Sequence, residues 1–167
     1  MVPDSPPRGL TPTTPSGDET TVEGLTVTAP TGSIVTNTTN SAGNPTTNIE
    51  MPGADGGIPR VRVRRVPSFG RSLVEETYAQ ESLLDAESEK HSYVRRTQET
   101  WPGAKDAYVI TWVGKLAKDD GSQLLDALGF WISDGPDSGW SLIATARQGE
   151  MEGSPLWDTV FSARLTG

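Results

Sequence analysis

The sequence predicts a single-domain α+β protein, in which a mostly antiparallel sheet of six to seven strands is covered by two amphipathic helices. Short segments of alternating apolar and polar residues recur between tight-turn residues, which is typical of antiparallel strands joined by hairpins. Two other segments begin with helix N-cap residues and continue with apolar residues at helical spacing. The chain has 167 residues, which is enough for one domain of ordinary size.

The N-terminal segment, residues 1–21, is predicted to be a disordered arm outside the domain. It is rich in Thr, Pro, Ser and Gly, and this composition cannot bury enough apolar surface to offset chain entropy. The α+β domain is therefore expected to occupy residues 22–167. The arm is interpreted either as a solubilising tail or as a segment that becomes ordered on a partner.

Two strands are predicted in the first part of the domain. Residues 22–29 are β-branched and nearly alternating, and Pro30 ends them. Residues 37–45 are rich in Asn, Thr, Ser and Gly, which predicts a loop. A short strand is expected at residues 46–51, followed by a turn at residues 52–57.

The next strand, at residues 60–67, has the clearest pattern. Its valines and arginines alternate as Arg60, Val61, Arg62, Val63 and Arg64. A period of two places the valines on one face and the arginines on the other. We therefore expect one buried face and one strongly cationic face.

The first helix is predicted to begin after Ser72, because Ser72 and Glu75 have the spacing of a capping box. It is expected to run to about Lys90. Its predicted buried positions are Leu73, Tyr78, Leu83 and Leu84.

Four strands and a closing helix are predicted in the second half. The strands are expected at residues 93–99, 107–116, 124–133 and 140–147. The Asp120-Gly121 dipeptide is a strong hairpin signal. Ser154 followed by Pro155 predicts the start of the last helix. Its apolar stripe is Leu156, Trp157, Val160, Phe161 and Leu165.

The composition excludes several functional classes. The formal net charge is −8, and an acidic domain repels phosphate, so we expect no nucleic-acid binding. The absence of cysteine excludes thiol nucleophiles, disulfides and thiolate metal sites. Neither a signal-peptide pattern nor a long apolar run is found, so a cytoplasmic protein without a membrane span is expected.

No group of residues predicts catalysis. His91 is the only histidine and lies among charged residues, which is typical of a solvated surface group. The sequence has no Gly-x-Ser-x-Gly elbow and no glycine-rich phosphate loop. We therefore expect a protein that is not an enzyme, with no catalytic residue, no metal site and no cofactor.

Two features are candidates for binding a partner. The strand at residues 124–133 carries apolar groups on both faces, so either helices cover both faces or Leu128, Phe130 and Trp131 contribute to an exposed patch. The second feature is a stripe of four arginines: Arg60, Arg62, Arg64 and Arg65. Either neighbouring glutamates pair with this stripe, or it docks an acidic or phosphate-bearing partner.

The second half of the chain resembles the LpqN/LpqT-type family of actinobacterial lipoproteins. The resemblance rests on Trp101-Pro102-Gly103-Ala104, Asp119-Asp120-Gly121 and the terminal Phe161-Ser162-Ala163-Arg164-Leu165, and its layout spans residues 22–166. The wider fold group includes the photosystem protein PsbP and chaperone-adaptors of type VI secretion effectors. The resemblance implies a PsbP-like sandwich and a binding or chaperoning role.

These observations favour a protein-binding domain that acts as an adaptor or chaperone-like accessory of a bacterial secretion or assembly system. One alternative is a structural subunit of a phage or phage-like particle, whose N-terminal arm crosses onto a neighbouring subunit. Another alternative is a small-ligand-binding domain. A protein partner is expected, and a homo-oligomer is left open.

Overall fold

The computed structural model describes residues 11–55, 57–87, 94–118, 121–151 and 154–165. Within these ranges the elements are β1 (Asp18–Val22), β2 (Leu25–Ala29), β3 (Ile34–Thr39), β4 (Pro45–Asp55), β5 (Ile58–Val66), α1 (Leu73–Glu87), β6 (Arg95–Glu99), β7 (Asp106–Lys118), β8 (Gly121–Ser133), β9 (Gly139–Arg147), α2 (Pro155–Val160) and β10 (Arg164–Leu165).

The strands form two antiparallel sheets, which confirms the α+β class. The larger sheet has seven strands in the order β3-β4-β5-β9-β8-β7-β6, and the smaller sheet has the order β1-β2-β10. One sheet of six to seven strands was expected, so the second sheet is an addition to the prediction. It packs with α2 on the inner face of the larger sheet, while α1 lies on the outer face.

The N-terminal part is more ordered than predicted. The strand predicted at residues 22–29 is a hairpin, because Glu23 and Gly24 turn the chain with φ angles of 49° and 95°. The expected domain boundary after residue 21 therefore falls inside β1. Thr13 also contacts the domain, since its main-chain N–H donates a 2.8 Å hydrogen bond to the oxygen of Phe161. Residues 1–10 of the expected arm lie outside the described residues.

The predicted loop at residues 37–45 is longer than the observed one, because β3 and β4 form a hairpin whose turn is residues 40–44. Asn40 Oδ1 accepts hydrogen bonds from the main-chain N–H groups of Ala42 and Asn44, at 3.0 and 2.9 Å. This side chain holds a tight turn of the kind that asparagine favours. The threonines on both sides are β-branched and enter strands.

The predicted turn at residues 52–57 is strand for most of its length. β4 continues to Asp55, and its register against β5 shifts between Glu50 and Asp55. Gly53, with a φ of 77°, lies inside this irregular stretch. A bulge therefore accommodates the glycine without ending the strand.

The start of α1 confirms the Ser72–Glu75 capping box. The main-chain N–H of Glu75 donates to Ser72 Oγ at 3.2 Å, and Ser72 Oγ donates to the Glu75 carboxylate at 3.1 Å. Leu73 is buried as expected, but Tyr78 and Leu83 are 55% and 50% exposed. The prediction that these two are buried is wrong, because α1 turns Leu73 and Thr77 toward the sheet instead.

Helix α2 begins as predicted. Ser154 is the N-cap, and its Oγ accepts from the main-chain N–H of Trp157 at 3.3 Å. Leu156 and Val160 are buried. Leu165 lies in β10 and not on the helix, because the helix ends at Val160 and the chain returns to pair with β2.

The main core lies between the inner face and the smaller sheet. Its centre is an aromatic cluster. The Trp101 and Phe130 rings meet edge to face with their centres 4.9 Å apart, and the centres of the Phe161 and Phe130 rings are 5.3 Å apart. A smaller cluster on the outer face joins Leu73 of α1 to Tyr108, Ile110 and Trp131. Both faces of β8 are therefore covered.

Candidate functional site

The arginines of β5 divide between the two faces of the larger sheet. Val61 and Val63 are fully buried on the inner face, and Arg60, Arg62 and Arg64 alternate with them. We call these three arginines the arginine face. Arg62 and Arg64 are exposed, and Arg60 is half-buried. The predicted alternation of a buried and a cationic face is confirmed.

The neighbours of the arginine face follow from the strand register. Cross-strand partners lie on the same face of a sheet. On the β4 side, Arg60 is opposite Glu50, Arg62 opposite Asn48 and Arg64 opposite Thr46. On the β9 side, the corresponding residues are Thr145, Ile143 and Ser141. Two of the three arginines therefore have uncharged neighbours on both sides.

One carboxylate lies near one end of the arginine face. The side-chain ends of Glu50 and Arg60 both approach Gly57, where an added Cβ would lie 3.2 Å from Glu50 Oε1 and 3.8 Å from Arg60 Nη1. Among the described residues, no carboxylate forms an ion pair with Arg62 or Arg64. Within the described residues, Glu50 lies opposite Arg60 without forming an ion pair, and the ion pair that the stripe does form joins Arg65 to Asp134.

The strand beside the arginine face contains unpaired polar atoms. Thr46 Oγ1 and Asn48 Oδ1 are buried and have no hydrogen-bond partner within the described part of the chain. Both residues lie on the arginine side of β4, opposite Arg64 and Arg62. A buried polar atom without a partner costs free energy.

Helix α1 leaves this part of the outer face open. It packs against β6, β7 and β8, which lie at one end of the sheet, whereas β5 is followed by β4 and β3 at the other end. The guanidinium groups of Arg62 and Arg64 are accordingly accessible to a partner.

Arg65 does not belong to the arginine face. It is opposite Trp140 on the inner face, and its Cζ lies 4.5 Å from the centre of the Trp140 ring. Its Nη1 forms a 3.0 Å ion pair with Asp134 Oδ2. Burial alone would raise the pKa of Asp134, but hydrogen bonds from Ser138 and Arg65 outweigh it and hold this pKa below its usual value. Arg65 therefore stabilises the β8–β9 turn.

The apolar candidates on β8 are not accessible. Leu128 and Phe130 are fully buried on the inner face, and Trp131 is buried on the outer face beneath α1. The Trp131 ring folds over Gly129, where an added Cβ would lie 2.2 Å from its Cη2 atom. The exposed apolar patch that was one interpretation of this strand is therefore wrong.

Two surface features were not predicted. The first is β3, in which all six residues are exposed, with Ile34 at 62% and Val35 at 37%. Its β-branched side chains were the available signal. The second is an open groove of about 490 Å³ between β1 and the β3–β4 hairpin. It is lined mainly by threonines, with Glu19 and Glu23 at one side.

The described residues contain no group of three His, Cys, Asp or Glu side chains arranged to hold a metal ion. His91 lies outside them. No helix in the described part of the chain is both long and apolar enough to cross a membrane.

The fold and this surface define an α+β protein with a cationic patch on an open sheet face. No protein-family model matches the sequence, and a search of curated proteins finds no match. The resemblance to the LpqN-type family therefore stays a prediction.

Proposed function

We propose that this protein is a non-catalytic binding domain that docks an acidic protein segment on its arginine face. The observation that carries the proposal is the exposure of Arg62 and Arg64 on an open sheet face, with uncharged cross-strand neighbours. An arginine guanidinium is well suited to paired hydrogen bonds with a carboxylate. A cluster of arginines on an acidic chain also steers an acidic partner to one place.

The spacing of the arginines suggests an extended partner. Alternate residues of a strand lie about 6.8 Å apart, which is twice the rise per residue. Alternate side chains of an extended peptide have the same separation. A segment with acidic residues at every second position would therefore present its carboxylates in register with Arg60, Arg62 and Arg64.

We further propose a PsbP-like assignment for the fold and an adaptor or chaperone-like role in a bacterial secretion or assembly system. The antiparallel seven-stranded sheet with a helix on each face supports the assignment. The role follows from the resemblance to the LpqN-type family. A binding surface of charged side chains on a rigid sheet agrees with it.

A second candidate is a structural subunit of a phage-like particle. The exposed edge of β3 favours this candidate, because an open strand edge can pair with another subunit. A small polar ligand in the groove beside β1 is a weaker candidate, since the groove is open and its lining has few charged groups.

The test measures peptide binding by fluorescence anisotropy. The probe is a labelled peptide of alternating Asp and Thr, and the reference peptide has Asn in place of each Asp. The double variant Arg62→Glu/Arg64→Glu should weaken binding of the acidic peptide by roughly tenfold or more, because attraction becomes repulsion. The control is Arg95→Glu, which reverses an exposed arginine on β6.

Equal affinity of the double variant and the control would overturn the proposal. So would wild-type protein that does not distinguish the Asp peptide from the Asn peptide. A phosphopeptide and a short RNA are tested in parallel, and a preference for either of them would assign the surface to a phosphate-bearing partner instead.

A further inference from the structure

Strand β3 is an unprotected edge of the larger sheet. It pairs with β4 in an uninterrupted register from Ile34 to Thr39, and in the described chain no strand lies on its other side. Such an edge presents main-chain N–H and C=O groups that are ready to pair with another strand. All six of its residues are exposed.

The opposite edge, β6, is protected. It carries Arg95 and Arg96, and charged side chains discourage edge pairing. The Arg96 guanidinium also lies between the rings of Tyr78 and Tyr108, at 3.8 and 4.3 Å from their centres. This arrangement ties the β6 edge to α1. By contrast, β3 contains neither a charged residue nor a proline.

The charge distribution singles out the same edge. Residues 24–49, which include β2, β3 and the start of β4, contain no Asp, Glu, Lys, Arg or His. The whole chain has a formal net charge of −8, so two copies repel each other. This neutral stretch is where two copies approach with the least repulsion.

The sequence of β3 is compatible with pairing to itself. A two-fold axis through Thr36 would place Thr36 opposite its own copy, Ile34 opposite Thr38, and Val35 opposite Asn37, of the second copy, so that paired residues share a face of the sheet. Every such pair is uncharged, and most of the side chains are β-branched, which favours cross-strand packing. The exposed Ile34 and Val35 would each gain a cross-strand neighbour.

We propose that β3 pairs antiparallel with β3 of a second copy, which joins the two larger sheets into one continuous sheet. This inference goes beyond the proposed binding function and does not depend on it. In such a dimer the two-fold axis is perpendicular to the sheet, so both arginine faces lie on the same side. A partner with two acidic segments would then bind both copies at once.

The experiment is sedimentation velocity on the full chain over a range of concentrations. The contact between two strands of six residues each buries little surface. We therefore expect the wild-type dimer to have a dissociation constant of about 10 to 100 µM. The test variant is Ile34→Lys/Thr36→Lys, which places charges on exposed positions of the edge. The control is Gln98→Lys/Thr100→Lys, which adds the same charge at exposed positions on and next to β6.

The wild type and the control should dimerise, and the test variant should stay monomeric. Circular dichroism checks that both variants are folded, and Ile34→Glu/Thr36→Glu is a second edge variant. Hydrogen exchange on the wild type gives an independent readout, because amides of β3 should become protected as concentration rises. The proposal is overturned by a wild type that is monomeric throughout, by an edge variant that dimerises equally, or by a dimer without added protection in β3.

Discussion

The indole Nε1–H of Trp140 donates a 2.8 Å hydrogen bond to the main-chain oxygen of Val22. Trp140 lies on β9 of the larger sheet, and Val22 ends β1 of the smaller sheet. Both residues are buried. This single bond therefore joins the two sheets at the point where the N-terminal hairpin turns.

Replacing Trp140 with Phe should lower the free energy of unfolding by about 1–3 kcal/mol, because the Val22 oxygen loses its donor while buried. Urea unfolding followed by circular dichroism measures the change. The control is Trp157→Phe on α2, where the ring is partly exposed. A Trp140→Phe variant as stable as this control would contradict the role of the hydrogen bond.

The Arg65–Asp134 pair predicts a loss of stability in acid. Because the pKa of Asp134 is lower in the folded state, its stabilising contribution is present above the unfolded pKa of about 3.9 and is lost as the pH falls through the folded value. Asp134→Asn should therefore flatten the decrease in unfolding free energy below about pH 4.

A double-mutant cycle with Arg65→Gln isolates this interaction. The coupling should be about 0.2–1 kcal/mol at neutral pH, since the pair is partly exposed. It should disappear once Asp134 is protonated. A coupling energy that does not change with pH would contradict the assignment.

The burial of Tyr108 predicts that the protein loses stability at high pH. Burial raises its pKa, and the nearby Arg96 only partly opposes this. The stabilising contribution is therefore full below the unfolded pKa of about 10 and is lost as the pH rises through the folded value. Tyr108→Phe should lose less stability between about pH 9 and pH 11 than the wild type does. The unfolding free energy is measured by urea unfolding at each pH. An equal decrease with pH in the variant and the wild type would contradict this prediction.

Gly129 predicts a steric effect. An added methyl group would meet the Trp131 ring at 2.2 Å, and the ring is buried beneath α1. Gly129→Ala should therefore destabilise the protein by about 1–3 kcal/mol, as measured by urea unfolding. In a Trp131→Leu background the same substitution should lower the unfolding free energy by less, because the smaller side chain leaves space for the added methyl group. Additive effects of the two changes would exclude this steric cause.

Local sequence patterns predicted the helix starts and strand faces that are determined by residues close together along the chain. The alternation of Val61 and Val63 with arginines predicts a strand and its buried face. The prediction that Arg65 belongs to the stripe was wrong, because the same alternation places Arg65 on the valine side. Ser72 and Ser154 mark helix starts, because an N-cap acts within one turn. These relationships need no knowledge of the remainder of the chain.

The errors concern features that distant contacts decide. Tyr78 is exposed because α1 lies over one end of the sheet, and helical spacing cannot specify that position. The β3–β4 hairpin was hidden by its Asn-rich turn, although the threonines on both sides favour strands. The open part of the arginine face was not predictable for the same reason, since it depends on where α1 packs.

Strand β2 has a consequence for synthesis of the chain. It pairs with β1 on one side and with Arg164 and Leu165 of β10 on the other. Its Thr28 N–H also donates to Ser162 Oγ at 2.8 Å. On the ribosome, this early strand must wait for residues made more than one hundred positions later, whereas the larger sheet is complete at residue 147. We therefore expect the larger sheet to assemble first and the smaller sheet to close over its inner face only after Arg164 and Leu165 have been synthesised.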